Sequence, residues 1–248
     1  MRASFLRKCE GASKLGHCEI VTSFSRDGYE RYGRDFIESC GNLPYDVTVY
    51  SEDDLPIPHK KLDDPVHLEF LKRRPGDPPD YRFQAKRFSY KTFSVLASKG
   101  EGRLIWLDAD VKVFGKVPAK FLDDFLPKGV YTAYLGREKM HSECGFVIYD
   151  RSHPVHEKFM SAWRNLYETD GLFKLKEWHD SFVYDHLRTS LNVPSINISG
   201  PGKSAHHPFI NSPLGKYMDH FKGNRKEKKR SSRGDLSWNR PEAYWRAL

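Results

Sequence analysis

Apolar residues fall into short blocks along this chain, and the blocks alternate between strand and helix periods. Residues 19–24, with Ile20, Val21 and Phe24 apolar, predict a buried strand. Residues 25–33 are polar and predict a loop that opens a helix over about 29–40. A second strand is expected at 45–50, where apolar and polar residues alternate before an acidic stretch at 51–54. Residues 55–82 are rich in Pro, Asp and Lys, with a short helix expected at 65–73 and a loop at 74–80. From 83 to 99, Phe83, Phe88, Phe93 and Leu96 recur at helical spacing. Further strands are expected at 103–107, 129–134 and 143–149, with 110–114 extended and 135–142 a flexible loop. Helices are expected at 119–125, 153–167 and 178–190, and a last one at 239–248 with Asn239 as cap and Pro241 in its first turn. Residues 1–18 show no period and read as a lead-in, and no internal repeat is visible.

Strand, helix and strand in this succession imply an α/β fold with a mostly parallel sheet flanked by helices. A length of 248 residues suits a single domain, and 38% hydrophobic with 14% aromatic residues supplies a sizeable core. Cys9, Cys18, Cys40 and Cys144 are scattered, without a Cys-x-x-Cys pair. Neither a membrane-length apolar run nor a signal-peptide core is present, so the expected compartment is the cytoplasm of a bacterium or a phage-infected host. The formal charge is +8, and residues 222–233 hold seven basic residues and one acid, which predicts a solvated basic C-terminal segment over 222–248.

The chemistry concentrates where the strand 103–107 runs into Asp108-Ala-Asp110. Carboxylates at i and i+2 of an extended segment share a side, and ligands of open α/β sheets gather at the carboxyl ends of strands. Two hard oxygen donors there suit Mg²⁺ or Mn²⁺. A second cluster, His220-Phe-Lys-Gly223-Asn-Arg-Lys226, lies far downstream. Gly223 permits close backbone approach to a phosphate, and Lys226 adds a cation.

The βαβ start, a helix carrying Lys86 and Arg87, Asp108-x-Asp110 and His220-x-x-Gly223-x-x-Lys226, in this order, resemble the GT-A glycosyltransferases, most closely the retaining glycogenin and lipopolysaccharide-galactosyltransferase type. The resemblance spans roughly residues 19–226 by organisation. It implies a GT-A fold, Mn²⁺ or Mg²⁺ held by Asp108, Asp110 and His220, and a nucleotide-sugar donor, a UDP-sugar foremost. It further implies a phosphate clamp at Gly223 and Lys226, nucleoside contacts from Thr22 and Ser23, and donor contacts from Lys86 and Arg87. Residues 50–53 would face the base or ribose. Glu143-Cys-Gly145 stands where the family has an Asn-Ser/Ala-Gly turn near the acceptor, so a carboxylate replaces an amide. His179-Asp180-Ser181 resembles the family's Asp-Gln helix start, with Ser181 departing from Gln. Asp180 and Glu143 are therefore the candidate catalytic acids, Asp180 as a partner of sugar hydroxyls or of an oxocarbenium-like transition state.

Two acceptors stand side by side. One is a hydroxymethylated DNA base, as in phage-type DNA-modifying transferases, which needs base flipping or a deep cleft. The other is an anionic glycan. Paired carboxylates with basic residues also fit a metal-dependent nuclease or nucleotidyltransferase, and the same fold without catalysis would be a nucleic-acid-binding protein. Oligomeric state is not legible here.

Overall fold

The computed structural model describes residues 17–199, 207–223 and 225–248; most of the lead-in, including Cys9, lies outside them. The first apolar run forms β1 (Cys18–Ser23). The helix after it starts earlier than residue 29, because the Ser25 hydroxyl accepts from the Gly28 amide at 3.1 Å and supplies a cap. The chain passes through α1 (Arg26–Gly28), a π-helical stretch (Tyr29–Gly33), α2 (Arg34–Ser39) and a 3-10 turn (Cys40–Asn42). Then come β2 (Val47–Ser51), the short edge strand β3 (Lys60–Lys61) and α3 (Pro65–Arg73). Asp64 caps α3 by accepting from the Val66 and His67 amides at 2.9 and 3.3 Å. Helix α4 (Ala85–Ala97) leads to β4 (Arg103–Leu107), and β5 (Val111–Val113) follows at once. Next are α5 (Ala119–Asp123), β6 (Thr132–Arg137), β7 (Met140–Asp150), α6 (His156–Glu168), α7 (Asp180–Ser190) and β8 (Ser195–Asn197). The chain closes with α8 (Pro208–Asn211), β9 (Met218–His220), α9 (Arg225–Lys228) and α10 (Ala243–Arg246). Among the described residues no helix is long and apolar enough to cross a membrane.

The main sheet has the order β3-β2-β1-β4-β7-β6-β8. Strands β3, β2, β1 and β4 are parallel, β7 runs antiparallel to β4 and β6, and β8 is parallel to β6. Both faces are buried, as the continuous apolar run of β4 predicts. Ile105 and Leu107 pack into one core with Ile20, Phe146 and Ile148, while Leu104 and Trp106 pack into the other with Val21, Val147 and Tyr149. A separate two-stranded ribbon pairs β5 with β9, placing Val111 opposite His220.

Three expectations change. Residues 135–142 are not a flexible loop but the tip of the β6–β7 hairpin, with Leu135 and Ser142 buried. Lys139 takes the left-handed turn conformation (φ 58°) with no glycine to announce it. The basic stretch 222–233 is partly packed, with Lys222, Arg225, Lys226 and Arg230 half-buried and Lys228, Lys229 and Arg233 exposed, and it includes the helical turn α9. The last helix is confined to α10, behind Glu242 as N-cap, so Asn239 does not start it.

One buried charge pair braces the sheet at the end away from the carboxylates. Glu19 on β1 accepts from Ser98 Oγ at 2.6 Å, Thr48 Oγ1 at 2.7 Å and Arg151 at 3.0 Å, and the Arg151 side chain is only 2% exposed. Burial alone would raise the Glu19 carboxyl, but the hydrogen bonds from Ser98, Thr48 and Arg151 outweigh it and hold the group below its ordinary 4.5. A depressed carboxylate adds stability that is present above the unfolded value and is lost as pH falls through it. Glu19→Gln should therefore cost about 3 kcal/mol at neutral pH, since it leaves Arg151 buried without its counter-charge. It should also flatten the decline in stability between neutrality and about pH 3.5. Urea unfolding of both proteins at the two pH values tests this; an unchanged slope with pH would refute it.

Candidate active site

The site is built where β4 ends. The Asp108 amide donates to Gly145 O on β7 at 2.9 Å, so the chain leaves the sheet at a fixed point. Asp108-Ala109-Asp110 forms a turn rather than a continued strand, and Ala109 is buried beneath it. The Asp110 carbonyl then accepts from the Phe221 amide at 2.8 Å, which fastens the turn to the β5–β9 ribbon. That ribbon carries His220 across 110 residues of sequence to the carboxylates: its Nε2 stands 3.1 Å from Asp110 Oδ1 and 3.7 Å from Asp108 Oδ2. One donor atom from each of the three side chains lies within 4.8 Å of the others.

This donor set fits a divalent ion. Neighbouring ligands around an octahedral ion at about 2.1 Å lie about 3 Å apart, which brackets the shorter separations here. Two carboxylates and one imidazole are a hard to borderline set suited to Mn²⁺ or Mg²⁺. The second nitrogen of His220, Nδ1, is buried without a hydrogen-bond partner and faces Glu143 Oε1 at 3.7 Å. With Nε2 as a ligand atom, Nδ1 carries the ring proton and points it at a carboxylate, the usual support for a ligating histidine.

Two lysines balance the acids. Lys226 Nζ lies 2.9 Å from Asp110 Oδ2 and 4.8 Å over the Tyr32 ring. Gly223 begins this return, with φ 62° and its carbonyl accepting from the Lys226 amide at 3.2 Å. Lys91, on α4, bridges Asp108 Oδ1 at 3.1 Å and Asp180 Oδ2 at 2.7 Å, and donates to the Cys144 carbonyl at 2.5 Å. Burial opposes each of these charges, but the partners prevail. Asp110 is held well below the usual carboxylate range by His220 and Lys226, and Asp180 is lowered by Lys91. Lys91 is driven upward by Asp108 and Asp180. His220 is raised by Asp110, Glu143 and Asp108.

A cleft of ≈ 440 Å³ opens over Asp108 and Asp110. Ser23, Lys86, Arg87, Lys91 and Lys226 also line it, as does Glu52 after β2. Thr22 does not line it: its side chain is buried and Oγ1 has no partner. Lys86 Nζ is tied to the Pro75 carbonyl at 3.0 Å and Arg87 to Gln84 Oε1 at 2.9 Å, so the cation of α4 that meets the acids is Lys91. Its signal in the sequence is the stripe Phe88, Lys91, Val95, where a lysine at an inward position of a helix needs a buried partner. Glu143 and His220 are almost wholly buried and stand outside the cleft lining. Glu143 pairs with Lys222 at 2.6 Å; against the effect of burial, Lys222 and His220 lower it to about 2. Asp180 opens α7, but the cap is the preceding His179, whose Nδ1 accepts from the Phe182 amide. This leaves the Asp180 carboxylate free for Lys91.

No protein-family model matches the chain, and no curated protein matches it. Among solved structures, an active-site mutant of LgtC superposes with a TM-score of 0.51 at 11% identity, over 92% of this chain and 99% of that one. A glycosyltransferase involved in the glycosylation of the major capsid of PBCV-1 gives 0.48 at 12% identity, over 86% and 98%. Mouse xyloside xylosyltransferase 1 in its apo form gives 0.47 at 11%, over 73% and 84%. The mostly parallel seven-stranded sheet with its flanking helices is the GT-A fold.

Gly145 has no room for a side chain: a Cβ there would sit 2.7 Å from His220 Cε1 and 3.0 Å from Nδ1. Gly145→Ala should displace the ring from the carboxylates and weaken Mn²⁺ binding about 10- to 100-fold, the range for lost ligand support. Electron paramagnetic resonance of free Mn²⁺ measures this, and wild-type affinity in a folded variant would count against His220 as a ligand.

Proposed function

We propose that this chain is a metal-dependent glycosyltransferase that moves a sugar from a nucleotide-sugar donor, a UDP-sugar foremost, to an acceptor hydroxyl. The observation that carries this reading is the convergence of Asp108, Asp110 and His220 at the carboxyl end of a parallel strand, beside a cleft that also holds Lys91 and Lys226. A divalent ion held by those three side chains would neutralise the charge that grows on a departing nucleoside diphosphate. Lys226, delivered by the Gly223 turn, offers its ammonium to the phosphates at the same edge. Ser23 and Glu52, at the ends of β1 and β2, offer polar groups to the nucleoside from the opposite wall.

Asp180 and Lys91 define the sugar side. Lys91 reaches both the metal-facing Asp108 and Asp180, and its ammonium holds the Asp180 carboxyl below its ordinary value against the effect of burial. In that state Asp180 accepts hydrogen bonds from sugar hydroxyls and stabilises positive charge developing at the anomeric carbon. Glu143 supports a different role from a nucleophile. Its contacts with Lys222 and His220 suit it to orient the imidazole. This reading carries retention of anomeric configuration, by attack on the face the leaving group departs from while Asp180 stabilises the charge there.

For the acceptor, a glycan hydroxyl is the better reading. A polyanion would need the cations of 222–233 free, and six of the seven have partners within the protein, four of them acids. Lys222 meets Glu143, Arg225 meets Asp235, Lys226 meets Asp110, Lys229 meets Asp35, Arg230 donates to the Tyr244 carbonyl and Arg233 to Asn239.

A thermal-shift series with nucleotide sugars tests the donor assignment. The matching donor should raise the melting temperature in Mn²⁺ and much less in EDTA. The stabilisation should approach about 2.7 kcal/mol at a donor concentration 100 times Kd. Asp108→Asn with Asp110→Asn should abolish the metal-dependent part of the rise and the release of nucleoside diphosphate, while leaving a folded protein. An equal rise in EDTA, or no response to any nucleotide sugar, would overturn the reading.

A further inference from the structure

A second group of metal-ligating side chains stands apart from the three ligands above. His141 lies at the tip of the β6–β7 hairpin, and Glu177 and His179 lie two residues apart on the segment that enters α7. One donor atom from each lies within 4.8 Å of the other two. His179 Nε2 is 2.9 Å from Glu177 Oε2, and His141 Nε2 is 3.7 Å from the same oxygen. Ligands of a tetrahedral zinc ion at about 2.0–2.1 Å are separated by about 3.3 Å, so the measured pairs straddle that spacing. We infer that His141, Glu177 and His179 form a second metal site, selective for Zn²⁺, that staples the β6–β7 hairpin to the start of α7.

The surroundings are those of a ligand set. His141 turns Nδ1 toward Asp185 Oδ2 at 3.8 Å, and Asp185 is itself fixed by the Ser142 amide at 2.8 Å and the Ser142 hydroxyl at 2.6 Å. A carboxylate facing the far nitrogen of a ligating histidine sets its tautomer and raises its basicity. His179 is buried and Glu177 nearly so, while the His141 side chain is 38% exposed, so an ion enters from solvent on the His141 side and keeps a position for water. Two imidazoles and one carboxylate also differ from the carboxylate-rich set at Asp108 and Asp110: extra nitrogen favours Zn²⁺ over Mg²⁺ or Mn²⁺. Loading has an identifiable cost. A metal on His179 Nε2 puts the ring proton on Nδ1, which then gives up the bond it accepts from the Phe182 amide. That bond is long, 3.4 Å, so little is lost. Because Asp180 follows His179 directly, the staple would fix the first turn of the helix that presents Asp180.

The inference stands on residues other than those of the proposed transferase site, and each can fail alone. The full chain carrying Asp108→Asn and Asp110→Asn, stripped with a chelator, is titrated with Zn²⁺ against a chromogenic competitor and separately with Co²⁺. The expected result is one tight equivalent of Zn²⁺ and the intense visible absorption of four-coordinate Co²⁺. Adding His141→Ala or Glu177→Gln should weaken that equivalent by at least about 100-fold, the upper end of what loss of a mere supporting partner costs. His186→Ala, a nearby histidine outside the set, should leave it unchanged. Circular dichroism confirms that each variant is folded; the exposure of His141 makes its truncation tolerable to the fold. Absence of a tight equivalent in the Asp108, Asp110 variant overturns the site, as does unchanged binding in both His141→Ala and Glu177→Gln.

Discussion

The site depends on one antiparallel pairing. Strand β5 leaves the Asp108–Asp110 turn at once and can form only a short ribbon, and its partner is β9, drawn from near the other end of the chain. Val111 opposite His220 fixes the register. Because side chains alternate across a strand, a slip of one residue would turn His220 to the other face and bring Asp219 or Phe221 to the carboxylates instead. The ribbon is protected against that slip. Asp219 is buried and accepts from the Ser231 amide at 2.9 Å, the Ser231 hydroxyl at 2.6 Å and Tyr244 at 2.8 Å, so it has partners on one face only. The C-terminal segment thus serves the site indirectly, by holding β9 in register.

The second constraint is charge. Asp108 and Asp110 line the cleft and Asp180 stands behind Lys91, and carboxylates gathered this closely are costly unless compensated. Lys91, Lys226 and His220 supply that compensation from three separate elements. Asp108 already accepts from Trp106 Nε1 at 2.6 Å, and Lys91 lies 4.9 Å over the same indole ring, so the aromatic side chain orders both members of the pair. A metal ion added to this set would relieve like-charge repulsion rather than create a new buried charge. The same balance makes Lys91 hard to replace, since its loss leaves the half-buried Asp108 and Asp180 carboxylates without their shared cation.

The elements that carry the site were legible where a local pattern decides them. The apolar run 104–107 ending in two aspartates marks a strand end in any context, and Gly223 with Lys226 announces a turn and a cation. Long-range partners were legible only through the family resemblance, as for His220 with the two aspartates. Lys86 and Arg87 stand closer to the expected donor face of α4 by composition, yet Asp77 accepts both their amides, at 2.8 and 2.7 Å, and their side chains are held at the helix start. Lys91, four residues after Arg87, is one turn further along and reaches the acids. The hairpin tip at 138–139 was missed because Glu-Lys carries no turn residue; the pairing of β6 with β7 imposes the conformation. His141, Glu177 and His179 share no spacing that sequence alone would connect, since the hairpin and the entry to α7 meet only after folding.

The net charge of +8 illustrates the same separation between composition and surface. A run of basic residues is a polyanion-binding face only if its charges reach solvent without nearby acids. Here four cations of α9 and its flanks meet acids, among them Lys229 to Asp35 on α2, Arg225 to Asp235 and Lys222 to Glu143. Each such pair damps the local charge at that point of the surface and ties two chain segments together. One further tie, Lys226 to Asp110, reaches the carboxylate turn itself. The basic segment thus serves as a set of ties between chain segments, and Lys226 is the member that reaches the cleft edge beside Asp110.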